Sequence, residues 1–251
     1  MFRTLIHRIL DKFGYKIIKS NKDYSQTFND QVFQRIYEEC APYTLTSIER
    51  MYGLHKSVSY IVKNNIPGVF VECGVWRGGC AMMIAKTLTH LGVTDRDIYL
   101  YDTYEGMSEP TDKDWSISGQ SAKQMLAEQD INKPTSVWCF ASLEDVKANM
   151  ALTHYNPDRI KFIRGKVEDT LPSLAPNQQI ALLRLDTDWY ESTLHELRHL
   201  YPLLTQNGIL IIDDYGHWSG CRQAVDEYFS GKRIFFNRID YTGIAAVKTE
   251  D

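Results

Sequence analysis

Residues 69–88 read VFVECGVWRGGCAMMIAKTL. A run of β-branched and aliphatic residues leads into a glycine-rich turn, and apolar residues at helical spacing follow. A strand apolar at almost every position is buried on both faces, as in a parallel sheet covered by helices on each side. The same alternation extends outward from this segment. GVFVECG, DIYLYDTY, RIKFIRG, QIALLRLD and GILIIDDY read as strands, and they are separated by helical stretches at CAMMIAKTL, around 142–152, at STLHELRHLYPLL and at CRQAVDEYF. RIFFNRID and TGIAAVKT add two strands joined by a tight turn around Asp240 to Gly243, suited to an antiparallel edge. The expected fold is α/β and Rossmann-like, a mostly parallel seven-stranded sheet with helices on both faces.

Before this unit, residues 28–64 carry helical periodicity broken near Pro42. The predicted organisation is a helical N-terminal extension over 1–60 and the α/β domain over 61–251. Residues 103–136 lack periodicity, and a long polar insertion directly after the second strand reads as a lid.

The chain has 251 residues, 43% of them hydrophobic and 24% charged, with a formal net charge of −4. That length supports a real core, and the charge argues against a nucleic-acid partner, which needs a basic stripe. Five cysteines (Cys40, Cys73, Cys80, Cys139, Cys221) form no CxxC pair; they read as thiols in a reducing cytoplasm. No apolar run reaches the roughly 20 residues of a membrane span, and the start lacks a signal peptide's apolar core, so the expected location is cytoplasmic. The first 22 residues nevertheless carry Arg3, Arg8, Lys12, Lys16, Lys19 and Lys22 against Asp11, with Phe2, Leu5, Ile6, Ile9, Leu10 and Phe13 on one helical face. The preferred reading is an arm packing on the body or on a second copy in a homo-oligomer. Peripheral contact with a membrane surface is the other.

Three motifs carry chemistry. In the first, Glu72-x-Gly74-x-x-x-Gly78-Gly79 departs from the dinucleotide fingerprint G-x-G-x-x-G. A carboxylate at the strand end repels a pyrophosphate but accepts hydrogen bonds from an ammonium group, which suits S-adenosyl-L-methionine. Gly74, Val75 and Trp76 are expected to line that pocket. In the second, Asp102 ends the next strand and is placed to accept from ribose hydroxyls; Ser142, Gly165, Val167 and Glu168 fall where the adenine belongs. In the third, LLRLDTDWYEST and GILIIDDYGHW bring two strands out into Asp186, Asp188, Asp213 and Asp214. Adjacent carboxylates repel unless a cation or proton lies between them, and Asp186, Asp213 and Asp214 suit Mg²⁺ or another divalent cation. Asp188 alone has a ready alternative as a helix cap. His217 and Trp218 are expected to line the acceptor pocket.

Together VECGVWRGG, YDTYEGMSEPT, FASLEDVKANM, RIKFIRGKVEDTLP, LRLDTDWYEST and GILIIDDYGHWSGCRQAVDEYF resemble the macrocin O-methyltransferase family over most of residues 60–230. The resemblance implies a class I fold and an S-adenosylmethionine- and Mg²⁺-dependent O-methyltransferase acting on a sugar hydroxyl of a glycan or glycosylated natural product. It assigns Asp186, Asp213 and Asp214 to the metal and Glu72, Gly74 and Asp102 to the cofactor. The basic amino end departs from the macrolide enzymes and looks more like that of enzymes of surface-polysaccharide pathways. The acceptor should offer vicinal hydroxyls, with Asp186, itself also at the cofactor, or His217 taking the proton. Trp115, Glu105, Glu109, Asp112 and Asp114 of the lid are expected to close over it. A catechol- or caffeoyl-CoA-type methyltransferase and a non-catalytic scaffold are the competing readings.

Overall fold

The computed structural model describes residues 29–133 and 136–249; the basic segment 1–22 lies outside them. The described chain enters through helix α1 (Gln31–Cys40), where the Asp30 carboxylate caps the first turn by accepting from the Phe33 amide. A 3₁₀ turn over Ala41–Tyr43 follows, because Pro42 cannot extend an α-helical hydrogen-bond ladder. Helix α2 (Ile48–Lys63) is then capped by Ser47.

The alternating unit runs β1 (Val69–Cys73), α3 (Gly79–His90), β2 (Ile98–Asp102), α4 (Ala122–Glu128), α5 (Leu143–Ala151), β3 (Ile160–Arg164) and α6 (Val167–Thr170). It continues with β4 (Ile180–Leu185), α7 (Tyr190–Leu200), β5 (Leu204–Ile212), α8 (Ser219–Tyr228), β6 (Asn237–Arg238) and β7 (Ile244–Val247). The seven strands lie in the order β3-β2-β1-β4-β5-β7-β6. The first five are parallel, and β7 runs antiparallel to both β5 and β6. This is the Rossmann-like sheet with an antiparallel edge that the apolar runs imply.

Both faces of the sheet are covered. Phe70, Leu100, Leu182, Ile209 and Ile211 pack on one side with Phe33, Met51, Leu54, Val58 and Leu88 of α1, α2 and α3. Val69, Val71, Leu183, Leu210 and Ile212 point the other way, toward Trp189, Leu197 and Val225. Alternate residues of each strand feed opposite cores, so the strands show no polar alternation.

Register fixes what emerges at the top of the sheet. Cys73 pairs with Leu185 and Leu185 with Ile212, so Gly74, Asp186 and Asp213 leave their strands at one level. The chain order reverses between β1 and β4, and that crevice is where open α/β sheets bind ligands.

Candidate active site

Close approach of two backbones builds the crevice. Gly74 has φ +81°, and a Cβ there would lie 2.0 Å from the Asp186 carbonyl oxygen. Only glycine lets the β1–α3 turn pass so near the end of β4. The turn is held from the neighbouring strand by Asp102, whose Oδ2 accepts from the amides of Val75 (2.6 Å) and Trp76 (3.1 Å) and whose Oδ1 accepts from Tyr104 (2.7 Å). Asp102 thus fastens the glycine turn, in addition to bordering two cavities. Burial pushes its pKa up against the pull of those three amides.

One charge interrupts the apolar run of β4. Arg184 is 1% exposed, and a charge so placed must be paired. Its Nη1 donates to Glu72 Oε1 and Asp186 Oδ2, both at 2.7 Å, and its Nη2 donates to Asp213 Oδ1 at 2.6 Å and Thr46 Oγ1 at 3.2 Å. Glu72 stands beside Arg184 in register across β1 and β4. The other Asp213 oxygen accepts from Arg50 of α2, whose Nε also reaches Asp240 at 3.0 Å. Arg184 and Arg50 are the functional residues the motifs missed. The available signal was the lone arginine inside IALLRL.

Asp213 therefore spends both oxygens on guanidinium groups. The acids whose oxygens gather within 4.8 Å of one another are Asp186, Asp188 and Asp214. Asp188 replaces Asp213 in the expected trio, and its φ of +68° turns it inward. Helix capping does not occupy it, since α7 shows no side-chain cap bond. Six carboxylates (Glu72, Asp186, Asp188, Asp213, Asp214 and Asp240) thus surround two guanidinium groups. Burial drives Asp186 and Asp214 well above the carboxylate range, helped in each case by neighbouring aspartates, while Asp188 rises to about 7. Glu72 also rises to about 7, because its burial outweighs Arg184. Asp214 Oδ2 and Glu72 Oε2 are buried without a hydrogen-bond partner.

These groups border a cavity of about 370 Å³. Gly74, Val75, Trp76 and Asp102 line it from the β1 and β2 side of the sheet, and His217, Trp218 and Tyr241 from the segments after β5 and before β7. The N-terminal helical region contributes Tyr43, Thr46 and Arg50. The His217 ring stacks edge-on against Trp218, with Nδ1 3.5 Å from the Tyr241 hydroxyl, and burial lowers its pKa. A smaller cavity of about 50 Å³ adjoins Gly74, Gly165, Val167 and Glu168. Glu168 accepts from Ser192 at 2.7 Å through Oε1 and leaves Oε2 buried without a partner. Ser142 borders neither cavity and instead caps α5, accepting from the Asp145 amide at 3.1 Å.

The insertion after β2 borders the main cavity through Gly106, Met107 and Ser136, and none of Glu105, Glu109, Asp112 and Asp114 lines that cavity. Asp114 is fully buried and accepts from Thr111 and from the Tyr190 amide (2.8 Å), while the Trp189 indole donates to the Ser108 carbonyl (3.0 Å). These bonds fasten the segment to α7. Glu105 turns outward to Arg164, and Trp115 borders a different cavity.

A profile of the family described as Macrocin-O-methyltransferase (TylF) matches residues 14–248. Demethyldecarbamoylnovobiocin O-methyltransferase of Streptomyces niveus is 34% identical over 74% of the chain and 67% of its own length. 8-demethyl-8-(2,3-dimethoxy-alpha-L-rhamnosyl)-tetracenomycin-C 4'-O-methyltransferase of Streptomyces olivaceus is 34% identical over 80% of the chain and 74% of its own length. Among solved structures, the O-methyltransferase NovP superposes with a TM-score of 0.71 at 31% identity, covering 83% of each chain.

Proposed function

The chain belongs to the macrocin O-methyltransferase family and is an S-adenosylmethionine-dependent methyltransferase; from that premise we propose that it methylates a ring hydroxyl of a sugar with the help of a divalent cation. The cation would be held by Asp186, Asp188 and Asp214. The carrying observation is the excess of carboxylates, above all the buried Asp214 Oδ2 with no donor. Hard oxygen ligands in this number fit Mg²⁺, which keeps several waters. When bound, it would supply Lewis acidity at vicinal acceptor hydroxyls.

The chain's own residues do the rest. Asp102 holds the glycine turn in one conformation, so the cofactor cradle exists before the cofactor arrives. Glu72 offers its unpartnered Oε2 to the α-ammonium group. The acceptor oxygen attacks the sulfonium methyl carbon in line, the carbon–sulfur bond breaks toward sulfur, and the hydroxyl proton passes to the protein. Alignment of that kind contributes several kcal/mol. Asp186, whose pKa burial and the neighbouring aspartates raise, would take the hydroxyl proton, and His217, whose pKa burial lowers, is the other acceptor bordering the cavity.

The test has two arms on the same protein. Chelator-treated enzyme should bind S-adenosylmethionine in a calorimeter yet fail to add a methyl group to a panel of sugars until Mg²⁺ is returned. Full turnover in chelator would remove the metal from this reading. Methylation of a catechol and of no sugar would move the acceptor to aromatic diols.

A further inference from the structure

Another cavity, of about 640 Å³, adjoins the 370 Å³ one and shares His217 and Trp218 with it. Trp115 forms part of its lining and is 46% exposed. The indole is nonetheless fixed in place. Its Nε1 donates to the Asp112 carbonyl at 2.8 Å, and its backbone amide donates to Ser219 Oγ at 3.0 Å. Ile117, 65% exposed, extends the apolar side.

Helix α8 supplies the polar side. Arg222, Gln223 and Asp226 share one face at helical spacing. Tyr215 presets two of them: its carbonyl accepts from Arg222 Nε at 3.2 Å, and its hydroxyl donates to Asp226 Oδ1 at 2.8 Å. Both border the cavity, and the Arg222 guanidinium carbon lies 5.4 Å from the centre of the Tyr215 ring.

A fixed aromatic face bordered by planar hydrogen-bonding groups matches a pyranose, whose C–H face stacks on the ring while its hydroxyls meet the polar edge. A flat aromatic ligand would want apolar surface on both sides, and one side here is charged. We propose that this cavity is a second carbohydrate subsite, holding the sugar ring glycosidically joined to the ring that is methylated. His217 and Trp218 border both cavities, so rings held in the two would be neighbours. The acceptor class is then an oligosaccharide or longer glycan. This rests on the sugar-acceptor reading above.

The experiment compares wild type, Trp115→Ala and Asp226→Ala on a panel of methyl monosaccharides and the di- and trisaccharides built from them, with methyl transfer read by mass. Wild type should favour the longer members by roughly tenfold or more in kcat/KM, the weight of a well-placed aromatic contact. Both variants should lose that preference through KM while keeping wild-type kcat/KM on the monosaccharides. Asp226→Ala, a surface change on a helix, keeps the test open should Trp115→Ala fold poorly. Equal use of short and long acceptors, or variants that retain the preference, would overturn the subsite while leaving sugar methylation standing. Failure of every sugar in the panel would overturn the acceptor reading and the subsite with it.

Discussion

Asp102 at the end of β2 and Asp214 two residues beyond β5 both lie at the top of the sheet, and the fold treats them differently. Asp102 meets three backbone amides that use both of its oxygens. Asp214 has carboxylates for neighbours, and its Oδ2 meets no donor. A satisfied buried acid is a piece of scaffold, whereas an unsatisfied one beside like charges calls for a proton or, on the proposed reading, a cation. On the proposed reading, the turn that Asp102 holds is preformed for the cofactor, and the acids around Asp214 are completed by what binds.

The strongest way to break this contrast is to disturb the ion-pair chain around Arg184. Asp213→Ala should cost about 3–5 kcal/mol of stability, because it leaves Arg184 without one of its buried partners; urea unfolding measures it, and an unchanged midpoint would deny Asp213 its structural role. Next, Asp188→Asn and Asp214→Asn should each weaken Mg²⁺ affinity and turnover by more than the roughly 10–100-fold that losing a ligand's hydrogen-bond partner costs. Both should leave S-adenosylmethionine binding intact and hold or raise the melting temperature of metal-free protein, since a repulsion is relieved. If Asp213→Asn weakens Mg²⁺ binding as much as Asp188→Asn, the ligand set returns to Asp186, Asp213 and Asp214.

Asp102→Ala tests the other acid. It strips the acceptor from the amides of Val75, Trp76 and Tyr104, at a cost of about 1–3 kcal/mol. Calorimetry should show weaker S-adenosylmethionine binding and unchanged Mg²⁺ binding. The smallest effect belongs to a buried group outside both regions. His55, 4% exposed beneath α1, has its pKa lowered by burial despite the pull of Asp30. The unfolded chain then takes up the proton more readily than the folded one, so stability present above about pH 6.5 falls as pH drops through that value. His55→Gln should flatten this acid-side slope in thermal melts, and an unchanged slope would assign the loss to other groups.

The strands, their helices and the antiparallel edge were legible because each element announces itself by local periodicity, and both faces of the sheet are apolar. The acidic strand ends were legible as a cluster for the same reason. Which acid does what was not. Asp213 and Asp214 are neighbours of identical chemistry, but successive residues leaving a strand face opposite ways. Asp213 continues the face of Ile211, which lies in register with Arg184, and is captured there. Asp214 turns toward Asp186 and Asp188. Asp114 illustrates the same limit, since its polarity suggested a lid ligand while its buried bonds to Thr111 and Tyr190 make it a fastener.

The sequence by itself determined the α/β order, the glycine turn that only Gly74 permits, and the gathering of acids at the strand ends, because these follow from local pattern and covalent sterics. Tertiary structure alone decided the pairing of Arg184 and Arg50, the exchange of Asp213 for Asp188 in the acidic trio, and the move of Trp115 to another cavity. Those depend on partners from distant segments, and a buried charge takes its role from the counter-charge that folding places beside it.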